Sequence, residues 1–141
     1  MIQIKKLERA DIPLMGEVLA DDRMVFNPEF LENFVDDPRS FGFLVKSGGK
    51  IVGFAYAYAL LRPDGKTMFY LHSIGLLPEY QDQGMGTRLL AYILDYAKSG
   101  GYSECFVITD RGNPRACHMY EKLGGRNGYE DEIVYVYEFE D

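Results

Sequence analysis

The sequence predicts an α+β fold, with one mixed sheet of about six to seven strands and about four helices. Three observations predict it. Residues 41–77 read as three apolar, partly alternating segments separated by turn residues, which is an antiparallel meander. Residues 68–110 then read strand, helix, strand, a crossover that makes the two flanking strands parallel. Between the first of those strands and its helix lies Pro78-Glu79-Tyr80-Gln81-Asp82-Gln83-Gly84-Met85-Gly86-Thr87. Two glycines at a helix start present several backbone N–H groups to one anionic group.

With 141 residues and 47% hydrophobic content, the chain suits a single domain spanning residues 1–141. At this length folding buries roughly 68% of the unfolded chain's surface, so neither metal nor disulfides are needed to stabilise it. Cys105 and Cys117 form no C-x-x-C pattern and are expected as reduced core thiols. His72 and His118 complete no ligand spacing, so no metal is expected. No apolar run reaches the roughly 18 residues of a membrane span. The first residues alternate like a strand and lack a signal-peptide block, which points to a cytoplasmic protein. A net charge of −7 argues against a nucleic-acid surface and is compatible with a cationic substrate, although it also serves solubility.

In chain order, residues 1–7 alternate and predict a first strand. Ile12, Met15, Val18 and Leu19 share a helical face over residues 8–20, with Pro13 tolerable only in the first turn. Asn27 and Pro28 are the N-cap and first residue of a second helix over 28–35, a covering helix or a substrate lid. A strand over 41–45, the turn Ser47-Gly48-Gly49-Lys50 and a long strand over 51–61 follow. Tyr56 and Tyr58 are expected on one face of the long strand, with Phe54 and Leu60. After a turn at 62–66, a strand over 68–77 enters the glycine loop. Met85, Leu89, Ile93 and Ala97 then mark a helix over 84–99 that ends at Gly100-Gly101. The apolar run within 103–110 suits a central strand covered on both faces. Asn113 and Pro114 open a last helix lined by Ala116, Met119, Tyr120 and Leu123. Residues 133–139 alternate and predict a final strand.

Gly84 and Gly86 remove side chains that would keep a diphosphate from the backbone. No G-x-x-x-x-G-K-[ST] is present, and no G-x-G-x-x-G follows the first strand. Gln81-Asp82-Gln83-Gly84-Met85-Gly86 resembles the pyrophosphate-loop signature of the GNAT superfamily of acetyl-CoA-dependent N-acetyltransferases. The stretch from Asn113-Pro114 to Leu123-Gly124, with Tyr120 seven residues after Asn113, resembles that superfamily's second signature. The two occur in the family's order, and the resemblance covers essentially the whole chain. Where the family usually has an aromatic after the helix-ending glycine, this chain has Gly125.

The resemblance implies the GNAT fold, acetyl-CoA as co-substrate, and a role for each matching residue. The backbone near Ile74 to Leu77 would pair with the pantetheine arm, with the Leu76 N–H donating to the thioester carbonyl. Gln81, Asp82, Gln83, Gly84, Met85, Gly86 and Thr87 would form the pyrophosphate loop. Asn113 would bond the pantetheine arm, and Tyr120 would protonate the departing thiolate. Asn113 is also a good helix cap in any protein, and Tyr120 would equally suit a core position.

The attacking amine must lose a proton to a base or a water chain. His72, two residues from Tyr70 and on the same face unless a bulge intervenes, is one candidate base. Glu79, Asp131 and Glu132 are further carboxylates that could line the acceptor side. The acceptor implied is a small cationic primary amine, attacking directly in a ternary complex. The run from Phe30 to Leu71 also resembles aminoglycoside 3-N-acetyltransferases of the GNAT type, which carry an Asp where this chain has Ser73. A non-catalytic acyl-CoA-binding regulator is the alternative of another class. Tyrosine-rich strands and exposed edges would suit a homodimer.

Overall fold

The computed structural model describes residues 1–129 and 131–139. Five strands form one sheet in sequential order: β1 (Ile2–Lys6), β2 (Ser40–Ser47), β3 (Lys50–Leu61), β4 (Thr67–Leu76) and β5 (Glu104–Val107). The first four are antiparallel neighbours and β5 joins β4 in parallel, so the sheet is mixed as the sequence predicts. Around it lie α1 (Gly16–Asp21), α2 (Pro28–Asp36), α3 (Met85–Ser99) and α4 (Pro114–Lys122), with 3-10 turns at Arg9–Leu14 and Pro78–Tyr80.

Local chemistry accounts for most boundaries. Gly48 and Gly49 take φ of 58° and 84°, which lets a two-residue turn join β2 to β3 with Ser47 opposite Lys50. The Asn27 side chain accepts from the Glu29 N–H at 2.9 Å and opens α2 at Pro28. The single helix expected over 8–20 is instead a 3-10 turn followed by α1. Pro13 has no N–H to continue an α-helical ladder, and the chain restarts at Gly16.

The core lies between the sheet and α3. Met85, Leu89, Ile93 and Ala97 of α3 are all buried. They meet the face of β2 and β4 that carries Phe41, Phe43 and Phe69, whose rings pack with Tyr96 at 5.3–6.0 Å. On the opposite face, a Cβ on Gly42 would come within 2.8 Å of Leu7, so its absence lets Leu7 and Phe34 close on the sheet. Among the described residues one carboxylate is buried: Asp11 accepts from Lys5 at 2.8 Å, Lys46 at 2.9 Å and the Glu8 N–H at 2.9 Å. Desolvation pushes the Asp11 carboxyl up, but these three donors outweigh it and hold it below the usual range.

Three further expectations are corrected. Residues 133–139 form no strand: Ile133, Val134, Tyr135, Val136, Tyr137 and Phe139 are all exposed. Strand propensity does not suffice without a partner for the ladder's hydrogen bonds. Consequently β5 is shorter than expected and half-buried at the end of the sheet rather than central, and the sheet has five strands among the described residues. Cys105 and Cys117 are free thiols, half-buried rather than fully buried.

Candidate active site

The central feature is a parting of β4 from β5. They pair only over residues 68–71 of β4, from Met68 opposite Glu104 to Leu71 opposite Val107. At that point the β3–β4 register slips, from Tyr56 opposite Ser73 to Ala57 opposite Leu71, which leaves His72 as one extra residue in β4. Beyond the bulge, the Leu77 N–H donates to the Val52 carbonyl at 2.8 Å. Alternate residues of an antiparallel ladder aim at opposite edges, so the N–H and C=O groups of Ile74 and Leu76 point away from β3 into the opening. The Leu76 carbonyl is met there by the Gln81 side-chain amide at 3.0 Å. An extended amide chain can dock on such an edge.

The glycine loop borders this opening. Gly84, at φ 82°, is the N-cap of α3, and no side chain caps it. The first intrahelical bond is from the Arg88 N–H to the Gly84 carbonyl, 3.1 Å. The amides of Met85, Gly86 and Thr87 therefore lack intrahelical acceptors and carry the positive end of a 15-residue helix dipole. Gln83 anchors the loop, its side-chain amide donating to the Glu79 carbonyl at 2.9 Å. A Cβ on Gly86 would lie 3.3 Å from Met119 Sδ, so this glycine also lets α4 close against α3. Asp82, also at positive φ (61°), sets a carboxylate in the loop, and Arg115 sits 3.4 Å from it and bonds Gln81 as well. An open strand edge beside an uncapped helix start fits an amide-bearing arm that ends in a diphosphate.

From the other side, Asn113 Oδ1 caps α4 by accepting from the Ala116 N–H at 3.2 Å, which leaves its NH2 group as a donor. Tyr120 is half-buried in a cavity of about 380 Å³ whose lining includes Leu71 and Val107, the last pair before the strands part. Burial pushes its phenol above the ordinary value, and Cys117 and Cys105 add to this, so the hydroxyl is protonated at neutral pH.

The bulge leaves His72 on the face of Tyr70. Its ring is 5.4 Å from Tyr70, stacks on Tyr56 at 5.0 Å and 20°, and meets Tyr58 at 6.2 Å. Phe54 stacks on Tyr56, as the alternation predicts. Next to this face is a recess of about 50 Å³ lined by Asp21, Asp22, Phe54 and residues 73–77. The Ser73 hydroxyl donates to Asp22 at 3.5 Å. Burial raises the Tyr56 phenol, and the Asp22 carboxylate adds to the rise. Glu79 is exposed, and Asp131 and Glu132 lie in the exposed segment after α4; nothing brings these three to the recess. Among the described residues no group of three His, Cys, Asp or Glu side chains could hold a metal ion, and no helix is long and apolar enough to cross a membrane.

The model of the acetyltransferase (GNAT) family matches residues 5–125, and the chain belongs to that family. It is 33% identical over 131 residues to the N-alpha-acetyltransferase RimI of Mycobacterium tuberculosis, covering 87% of this chain and 77% of that protein. It is 29% identical over 126 residues to the ribosomal protein bS18-alanine N-acetyltransferase of Escherichia coli strain K12, covering 88% and 80%. An aminoglycoside acetyltransferase from an uncultured soil metagenomic sample, solved in complex with sisomicin, shares the fold with a TM-score of 0.83 at 21% identity, covering 99% of this chain and 97% of that one. The protein is thus an N-acetyltransferase, and acetyl-CoA is the co-substrate of its family.

Two residues at the site carry no signal in the sequence. Asp22 reads only as a poor helix end, yet it reaches Ser73 across 51 positions of chain. Arg115 is one cation among 15, and only the packing of α4 against α3 sets it on the glycine loop.

Proposed function

We propose that the protein moves an acetyl group from acetyl-CoA to a primary amine of a small cationic acceptor, by direct attack within a ternary complex. The observation that carries this is the open edge at Ile74 and Leu76 beside the uncapped start of α3. In this assignment Ile74 and Leu76 pair with the amides of the pantetheine arm, and the Asn113 NH2 group adds a hydrogen bond. The loop residues Gln81, Asp82, Gln83 and Gly84, with the amides of Met85, Gly86 and Thr87, surround the pyrophosphate. Arg115 offsets the Asp82 carboxylate. The co-substrate supplies a thioester carbonyl. The Leu76 N–H donates to that carbonyl's oxygen while the new C–N bond forms. As the C–S bond breaks, the Tyr120 hydroxyl donates its proton to the departing sulfur, and the proton lost by the amine goes to His72 or through water to bulk.

An aminoglycoside is the second acceptor considered, favoured by one observation. The carboxylate that the resemblance puts at position 73 is absent, but Asp22, the residue that follows α1, brings one to Ser73. The test is thiol release from acetyl-CoA with three kinds of amine: simple diamines, a peptide beginning with alanine, and sisomicin. Release with a diamine and an acetyl mass gain on that amine are expected. Acetyl-CoA binding without release on any amine would instead make the protein an acyl-CoA-binding regulator. Release on the peptide alone would replace the small cationic acceptor with a protein N-terminus.

A further inference from the structure

β5 is the last strand of the sheet, and its outer edge has no partner among the described residues. The N–H and C=O groups that turn away from β4 there form a template for another strand. The sheet's other edge, β1, carries Lys5 and Lys6, charges that discourage pairing, whereas β5 beyond Glu104 carries none. The packing around β5 is equally incomplete. Cys105, Phe106 and Val107 are only half-buried, Ile108 is exposed, and α4 buries none of its nine residues. The cavity of about 380 Å³ beside Tyr120 lies here, walled by Leu90 and Leu94 of α3, Cys105 and Val107 of β5, and Leu123.

The same chain holds a strand without a sheet. Ile133-Val134-Tyr135-Val136-Tyr137 is an unbroken apolar run, and these five side chains, with Phe139, are 69–90% exposed. Such a run belongs to a strand covered on both faces. A single molecule leaves the run and the β5 edge apart. A second copy offers each of them the surface it lacks, and the offer is mutual, so the contact closes with two-fold symmetry. The exposed connector after α4 contains Gly124, Gly125 and Gly128, and its ten residues, 123–132, reach up to roughly 33 Å. The three aromatic side chains of the segment bury roughly 150 Å² or more each. Counted with the three aliphatic ones and on both copies, the exchange reaches the roughly 1,600 Å² of a stable interface. We infer that two copies exchange residues 133–139, each segment adding to the outer edge of the other copy's β5 and closing the cavity beside Tyr120. Ile133, Tyr135, Tyr137 and Phe139, the alternate set without a charge, face the cavity, and Glu138 faces away with Val134 and Val136. The exchange does not depend on the transfer proposed above. With that transfer, Tyr120 works beneath a strand of the other copy, and the site is incomplete in one molecule.

Sedimentation velocity at micromolar concentration is expected to show a species at twice the 16.1 kDa of one chain, and the double variant Tyr135→Asp/Tyr137→Asp a species at 16.1 kDa. Both tyrosines are exposed in the single molecule, so the double variant keeps the fold of each copy, which circular dichroism checks. A second measurement needs no destabilising change: p-benzoylphenylalanine is introduced at position 135 of the full chain and irradiated. Covalent joining of two chains, from position 135 of one to α3, β5 or α4 of the other, is expected. Closure of the cavity is read at Cys105, in its wall. In a Cys117→Ser background, iodoacetamide is expected to label Cys105 about tenfold faster in the double variant than in its parent. A 16.1 kDa species for the parent chain overturns the inference. A dimer that persists in the double variant also overturns it, because the contact then lies elsewhere. Joining confined to single chains overturns it too, because each segment then sits on its own β5. Equal labelling of Cys105 in the two proteins overturns the closure. None of these readouts uses turnover, so they decide the exchange even for a protein that acetylates no amine.

Discussion

The guanidinium of Arg115, in the first turn of α4, donates to the side-chain oxygen of Gln81 in the loop before α3. This bond ties together two segments that are 34 positions apart in the chain, one on each side of the opening in the sheet. Arg115 also stands 3.4 Å from Asp82, whose carboxylate would otherwise face a bound diphosphate uncompensated. Arg115→Ala is expected to raise the KM for acetyl-CoA about 3- to 10-fold with kcat little changed. Steady-state kinetics with acetyl-CoA varied at saturating amine checks this. A fall in kcat at constant KM would place Arg115 elsewhere in the mechanism.

Tyr120→Phe keeps the ring in its cavity and removes the proton. A positioned acid contributes roughly 100-fold or more, so kcat is expected to fall by about that factor. Because an acid works only while protonated, wild-type activity declines as pH rises through the phenol's value, which burial places above the ordinary one. The variant loses that alkaline limb. A pH–rate profile of the two enzymes decides, and full turnover by Tyr120→Phe at all pH values removes the role.

Asp11 anchors the first 3-10 turn to the sheet through Lys5 and Lys46. Its carboxyl is held below the usual value near 3.9, so its contribution to stability is complete above that pH. It is lost as pH falls through the lowered, folded-state value. Asp11→Asn leaves two ammonium groups facing a neutral amide and is expected to cost about 3 kcal/mol at neutral pH. Urea unfolding of both proteins at pH 7 and pH 3 measures this, and the difference between them should shrink at the lower pH.

Burial, with Glu104 beside it, pushes the Cys105 thiol up to about 11. At pH 8 only about one molecule in a thousand then carries the reactive thiolate. In a Cys117→Ser background, iodoacetamide should label Cys105 very slowly at pH 8, and the rate should climb about tenfold per pH unit up to that value. Rapid labelling at pH 8 would show that β5 opens in solution.

Much of the fold was legible in the sequence because the devices that build it are local. Gly48-Gly49, Asn27-Pro28 and Asn113-Pro114 each mark a turn or a cap within four residues, and the structure puts all three where the chain predicts them. The 3.6-residue period of Met85, Leu89, Ile93 and Ala97 likewise reports the buried side of α3 directly. What sequence could not supply depends on pairing at a distance. The alternation at 133–139 is a strand pattern that finds no ladder partner among the described residues. The Asp11 cluster, Asp22 beside Ser73 and Arg115 on Gln81 are juxtapositions made by packing, and no spacing in the chain announces them. The glycine loop was recognisable from its residues. The opening it borders begins beside the register slip at His72, which no residue type at that position dictates.

That slip has a consequence for how β4 tolerates change. Side chains along a strand alternate with a period of two, so one surplus residue sets the downstream half half a period out of phase with the upstream half. β3 nevertheless pairs in register on both sides of the slip, Tyr58 with Tyr70 and Tyr56 with Ser73, so the surplus residue keeps Tyr70 and Ser73 on one face although they stand three apart. Deleting His72 would therefore restore a continuous ladder with β3 and leave both halves of β4 on their present faces. A single codon lost here would take away only the imidazole and the kink, whereas the same loss from an unbulged strand would turn part of it over.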